Sequence, residues 1–300
     1  MNRIRSWISA GIILTTCLVL AGEDTSDEQS QYSALLEIDD EAWKKAERLI
    51  LEAEAFSEAG SELLTENLKT RLERLFDEVD QTYRVFLTKY PERVKARIAY
   101  ASFLKDIQKI AAAEIQLKRA GKTHPENPVV YNNLADLYAR DGQQKKAFDL
   151  YLKAHELRQT EPLYLRNLAN LTAVFPNDAV EHFKISKEEV KLRCRTWFQK
   201  AIAMNPKDFD LISLSAKSHE SFTPFDTKTA MADWSRAKKI ATTDHQRQAV
   251  TLHQAKIRIH EHRMKDALDL LNQVTLRVHQ RQREILIGKT TILENADAAK

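Results

Sequence analysis

The sequence predicts an all-α chain of antiparallel helix pairs, and three observations predict it. The 300 residues include only 6 Gly and 7 Pro, too few for the turns and phosphate loops of a large α/β enzyme. Small and bulky residues recur with a period of 34: Ala101, Ala135 and Ala169; Ala113 and Ala147; Leu117 and Tyr151; Ala120 and Ala154. Within each stretch the apolar positions fall at i, i+3, i+4 and i+7, as in Tyr131, Leu134, Ala135 and Tyr138, which is the spacing of one helix face.

The balance of residue types agrees. Hydrophobic residues make up 43% of the chain and charged residues 30%, enough apolar material to fold and too much for wholesale disorder. The net charge of +3 is weaker and less localised than a nucleic-acid-binding surface requires. Acidic and basic residues interleave, as they do on solvated helix faces.

At the N-terminus, Arg3 and Arg5 precede an apolar stretch from Trp7 to about Leu20, and Val19-Leu20-Ala21 places short residues before Gly22. That is the layout of a cleaved signal peptide over residues 1–21. The stretch is shorter than the ~20 residues of a membrane span, so no transmembrane span is expected after cleavage. Cys17 raises lipid anchoring as an alternative, but Leu14-Thr15-Thr16 precedes it where a small residue is wanted, and apolar residues continue after it. After processing Cys194 stands alone, so no internal disulfide is expected and a small buried helix residue is its simplest reading.

Residues 22–40 are acidic and polar and read as a flexible stalk. Helices begin near Glu41, with a first pair at about Trp43–Ala59 and Leu68–Tyr90. Val79, Tyr83 and Phe86 stand 34 residues before Ala113, Leu117 and Ala120, and Pro91–Pro125 and Pro128–Pro162 keep the same period. The best copy runs from Pro128 to about Gln159, with Gly142 in the break between its two helices, where a helix end favours glycine. Downstream the second-helix signature returns as Cys194, Phe198 and Ala201, then Ala230, Trp234 and Ala237, then Ala267, Leu271 and Val274. The step from Ala154 to Ala201 is 13 longer than the period, an insertion near residues 174–186. Its Phe175, Val180 and Phe183 are costly to leave in water, so a short turn of helix packed on the repeats is expected; the alternative is a partner-binding loop. Leu276–Ile287 reads as a closing helix with a basic rim, and residues 288–300 as a disordered tail.

The quoted pattern resembles the tetratricopeptide repeat: an aromatic, Leu, a small residue and Tyr in the first helix, then Ala, an aromatic, Ala and Pro. The resemblance covers about Glu41 to Val274, and the long insertion is similar to those of exported bacterial members. It implies an α-solenoid of about six helix pairs over residues 41–287, wound as a right-handed superhelix, with a concave face lined by first-helix side chains. The positions that fall on that face include Lys95, Ser102, Asn132, Asp136, Arg166 and Asn170, whose amides and charges suit the backbone or carboxylate of an extended peptide. The Lys and Asn set of the family's carboxylate-clamp subtype is not reproduced, so an EEVD-like tail is not the implied ligand.

The expected function is a non-enzymatic scaffold or adaptor that holds protein or peptide partners in the bacterial cell envelope, periplasmic or secreted, or else membrane-anchored through an uncleaved signal or Cys17. No cofactor, metal or nucleic acid is expected. A polyanion-binding α-solenoid is the alternative, opposed by the export signal and the modest charge. An envelope hydrolase is opposed by the lack of a GxSxG or HExxH motif and by the absence of any glycine between Gly142 and Gly288. His260 and His262, two apart, face different ways on a helix, and His253 and His260 lie two turns apart.

Overall fold

The structure, a computed structural model, describes residues 26–57 and 63–298. Among these residues fourteen α-helices and one 3-10 turn are present and no strand. The signal peptide expected over 1–21, with Cys17, lies outside the described residues. Two compact units divide the chain, residues 1–140 and 141–300.

The first unit holds α1 (Ser26–Ser57), α2 (Leu63–Lys89), α3 (Val94–Asp106), α4 (Ile110–Thr123) and α5 (Pro128–Arg140). In α1 the apolar residues Leu35, Ala42, Ala46 and Leu49 recur every three to seven residues and are all buried; that stripe lies against α2. An aromatic chain runs through the core. Trp43 lies 4.8 Å from Phe76, Phe76 lies 6.1 Å from Phe103, and Tyr83 stacks on Tyr100 at 4.9 Å. Aromatic pairs of this kind contribute about 0.5–1.5 kcal/mol each beyond the area they bury.

The second unit holds α6 (Gln144–Leu157), α7 (Pro162–Val174), α8 (Pro176–Phe183), α9 (Lys187–Met204), α10 (Phe209–Ser218), the 3-10 turn His219–Ser221, α11 (Thr227–Ile240), α12 (Asp244–His260), α13 (Met264–Leu271) and α14 (Arg277–Ala298). Several of its helix starts are capped by side chains. Ser186 and Glu189 form a reciprocal capping box on α9, Thr243 and Gln246 do the same on α12, and Asp208 and Asp226 cap α10 and α11. Each cap satisfies backbone donors the first turn leaves open, worth about 1 kcal/mol.

The small positions of the repeat lie in the core. Ala113, Ala120, Ala135, Ala147, Ala154, Ala169, Ala201, Ala230 and Ala267 are all fully buried. A methyl-sized side chain lets neighbouring helix backbones approach closely, and an interior at crystal-like density leaves no room for a larger one. The bulky positions between them, Tyr83, Phe148, Phe198 and Trp234, fill the remaining space and are buried too.

Two expectations change in detail. The stalk expected over 22–40 is helical from Ser26 onward, because the α1 stripe extends upstream. Tyr32 lies 5.9 Å from Phe86, the Arg93 guanidinium sits 5.0 Å over the Tyr32 ring, and Arg93 reaches Glu28 at 3.3 Å. The disordered tail expected over 288–300 is helical through Ala298; Leu286 and Thr290 are buried, and Thr290 Oγ1 donates to the Ile287 carbonyl at 2.6 Å. The insertion near 174–186 is the short helix α8, and it packs on the repeats. Phe183 meets Phe148 edge-on at 5.2 Å and Trp197 at 5.8 Å, Ala179 is fully buried, and His182 pairs with Asp149 at 3.3 Å.

Two of the turns share a backbone device. After α3, Lys109 N donates to Leu104 O at 2.7 Å and Gln108 N to Lys105 O at 3.0 Å; after α12, Arg263 N donates to Arg258 O and His262 N to Ile259 O at 2.9 and 3.1 Å. Both are Schellman closures, which place one residue in the left-handed region. Gln108 (φ 62) and His262 (φ 56) occupy it, and Gly142 (φ 75), 34 residues after Gln108, adopts the same conformation.

Candidate functional site

The first-helix positions singled out by the repeat fall in both units, and each group stands by itself. In the first unit Lys95 and Ser102 lie two turns apart on α3, both half-buried. Asn132 and Asp136 lie one turn apart on the neighbouring α5. Asp136 is neutralised inside the fold, by Lys105 at 3.2 Å and Arg140 at 3.4 Å. Asn132 is 9% exposed and already engaged. The period places both on a first helix, but only packing decides whether a side chain at such a position is free. Asp106, which the period did not single out, adds a carboxyl to this end of α3; burial pushes its pKa above the ordinary carboxylate value.

In the second unit Arg166 and Asn170 lie one turn apart on α7, both half-buried. The Arg166 Nε is buried and has no hydrogen-bond partner among the described residues. A guanidinium presents five donors in a planar fork, and a buried donor without an acceptor is costly. The half-buried Arg166 and Asn170 side chains are the polar pair this helix offers.

The second unit also contains a cleft of about 380 Å³ between α9, α10 and α11. Its floor is polar: Ser215 and His219 are each more than nine-tenths buried. His219 Nε2 and Asp233 Oδ2 are 2.9 Å apart, and Arg195 is held by Thr229 Oγ1 at 3.2 Å and by Asp226 at 3.5 Å. The sequence carries a trace of this cleft, since Arg195 and Gln199, and Thr229, Asp233 and Arg236, stand at helical spacing. The same spacing occurs on every solvated face of the chain, so it does not mark a site by itself. Chemically the cleft can hydrogen-bond a polar ligand. Its imidazole is engaged by Asp233, and the Thr229 hydroxyl donates to Asp226 Oδ2 at 2.7 Å.

His253 stacks on Trp234 at 4.2 Å and lies 3.7 Å from Glu220. His260 meets the Phe225 ring edge at 5.1 Å. Cys194 is fully buried and its thiol donates to the Ala169 carbonyl at 3.3 Å. Burial pushes that thiol up to about 12, the opposite of the depressed value a nucleophilic cysteine needs. Among the described residues no cluster of three metal-ligating side chains is present, and no helix is long and apolar enough to cross a membrane.

No protein-family model matches the sequence, and no curated protein matches it. Solved structures do share the fold. The structure of Pseudomonas aeruginosa pilF aligns over 87% of this chain and 99% of its own, with a TM-score of 0.53 and 13% identity. TTC0263, described as a thermophilic TPR protein of Thermus thermophilus, aligns over 66% of this chain and 99% of its own, with a TM-score of 0.50 and 13% identity. The Cut9–Hcn1 hetero-tetramer of the APC/C aligns over 85% of this chain and 48% of the matched chain, with a TM-score of 0.54 and 14% identity.

Proposed function

We propose that this chain, whose fold is that of tetratricopeptide-repeat proteins, is a non-enzymatic scaffold that holds an extended peptide or a segment of a partner protein. The observation that carries the reading is the Arg166–Asn170 pair, half-buried one turn apart on α7, whose guanidinium and amide donors can take an acceptor. An extended peptide offers such acceptors at every residue, as backbone carbonyls, and Asn170 can match both a carbonyl and an amide. Stacked helix pairs give such a segment a long surface to lie on. Lys95 and Ser102 would contribute in the same manner in the first unit. The carboxyl of Asp136 is committed to Lys105 and Arg140 and would contribute little.

We place the scaffold in the bacterial cell envelope on the strength of Arg3, Arg5 and the apolar stretch ending at Ala21. Fractionation and N-terminal sequencing of the protein from its own cells test the placement: a mature form beginning near Gly22 supports it, and a cytosolic chain beginning at Met1 removes it.

The binding reading is tested by cross-linking in intact cells, followed by partner identification, with the wild type and Arg166→Ala. Removing an arginine whose nitrogen is unsatisfied leaves urea stability unchanged or raised, while partner capture falls at least ten-fold. A loss of stability with capture intact would assign Arg166 to the fold. Capture of nucleic acid in place of protein, abolished by salt, would replace the scaffold reading.

A further inference from the structure

We propose that the cleft between α9, α10 and α11 receives a carboxylate from outside the fold, carried on a glutamate or aspartate side chain of a polypeptide segment. Two successive gaps between second helices of the second unit are closed differently. In the first, between α6 and α9, the inserted helix α8 packs against both and sets Phe183 against Phe148 and Trp197, at 5.2 and 5.8 Å. In the next, between α9 and α11, no such helix is inserted, and the cleft of about 380 Å³ stands there. The two gaps share one register. Phe148 stands one residue after Ala147, and Arg195 one after Cys194; Trp197 stands three after Cys194, and Asp233 three after Ala230. The positions that hold an aromatic ring in the first gap therefore carry a guanidinium and a carboxylate in the second, and both line the cleft. Its occupant has to be polar, since an apolar plug would take water from these charges and give nothing back.

The lining decides the sign of the occupant's charge. Asp233 is committed to His219, with 2.9 Å between Nε2 and Oδ2, and Arg195 to Thr229 Oγ1 and Asp226, at 3.2 and 3.5 Å. Arg236 is the exposed cation of the cleft and has no ion pair among the described residues. A cationic ligand would meet two guanidiniums, whereas a carboxylate takes the paired donors of Arg236. On the floor Ser215 is only 6% exposed, and its hydroxyl, without a hydrogen bond among the described residues, supplies a further donor. Ile202, Ala203 and Pro206 complete the lining with apolar surface for the methylenes of the acid. One unpaired cation suits the single charge of a carboxylate better than the double charge of a phosphate. A polypeptide source follows from the preceding gap, where a segment of polypeptide already lies in the equivalent place. Because α9 and α11 are second helices, this site is separate from Arg166 and Asn170 and does not depend on them.

Amide chemical-shift titration of the isotope-labelled full chain reads the outcome. The probes are blocked alanine peptides with a central glutamate, glutamine or lysine, together with glutarate and inorganic phosphate. The glutamate peptide shifts signals of α9, α10 and α11, those of Ser215 and Arg236 among them, and the glutamine and lysine peptides bind at least ten-fold more weakly. Arg236→Gln weakens the glutamate peptide at least ten-fold, with circular dichroism and the urea midpoint unchanged because that side chain is exposed and unpaired. Ser215→Ala, as a second variant, weakens it several-fold, and Arg166→Ala leaves it intact. A glutamate peptide that shifts nothing in the cleft overturns the proposal, as does a glutamine peptide that binds equally well or an Arg236→Gln variant that binds like the wild type. Glutarate or phosphate binding more tightly than the glutamate peptide would assign the cleft to a free anion and overturn it as well.

Discussion

The Tyr83 hydroxyl donates a hydrogen bond to Asp39 Oδ2 at 2.5 Å, joining α2 to α1 in the first unit. The other carboxylate oxygen of Asp39 is buried without a hydrogen-bond partner among the described residues. Burial pushes the Asp39 carboxyl up to about 6, against the bonds from Tyr83 and Trp43 that favour its charged form.

A pH dependence follows. The folded state holds the Asp39 proton more tightly than the unfolded chain, where the carboxyl titrates near the ordinary ~4. This group's contribution therefore rises as pH falls from about 6 towards 4, by on the order of 2–3 kcal/mol. Glu220 runs the other way. His253 Nδ1, at 3.7 Å, and the Lys256 ammonium hold its carboxyl down at about 2. Its contribution is present above ~4.5 and is lost as pH falls towards 2; screening at this half-exposed site limits it to about 1 kcal/mol. Urea unfolding at a series of pH values, with Asp39→Asn and Glu220→Gln, checks both. The first variant should lose the gain between pH 6 and 4, and the second the decline below pH 4.5.

Cys194 should be silent in the native state. Its thiol is buried against the Ala169 carbonyl and pushed up to about 12, so almost no thiolate exists at neutral pH. A disulfide-exchange reagent should label it only after urea is added. Rapid labelling of the folded protein would show that α9 and α7 part readily.

Gln108 and His262 hold left-handed backbones that glycine adopts without cost. Gln108→Gly and His262→Gly should each raise thermal stability, by about 0.5–1 kcal/mol. At Gly142 the reverse holds, and Gly142→Ala should cost about 1 kcal/mol. Calorimetry reads the signs, and an opposite sign at Gln108 or His262 would mean that its side chain holds the turn.

Phe183→Ala should release α8. The ring is half-buried and contacts Phe148 and Trp197, so the loss should be about 2 kcal/mol, below that of a fully buried phenylalanine. A shift of tryptophan fluorescence in the native state would report water reaching Trp197. An unchanged spectrum and midpoint would mean that α8 adds nothing to the core.

The repeat was legible because its physics is short-ranged. Ala135, Ala147 and Ala154 had to be small to let backbones approach, and their spacing records that demand. The ends were less legible. Residues 26–40 look like polar linker by composition, and only the pairing of Tyr32 with Phe86 and of Arg93 with Glu28 shows that the helix continues. The register places the candidate positions on first helices, but it does not show which of them are free. Asp136 and Arg166 have equal claims by register, yet one is held by Lys105 and the other has a nitrogen with no partner among the described residues. A period fixes which way a side chain leaves its helix, and the neighbour across the gap decides what it meets there.

Within each unit, helices pack mainly on helices no more than three places away along the chain. Little loop entropy has to be spent to bring such partners together, so formation is governed by local encounters. A nascent polypeptide of this kind need not wait for its C-terminus. Hairpins can form in the order in which they emerge, each offering a ready-made template to the one behind it.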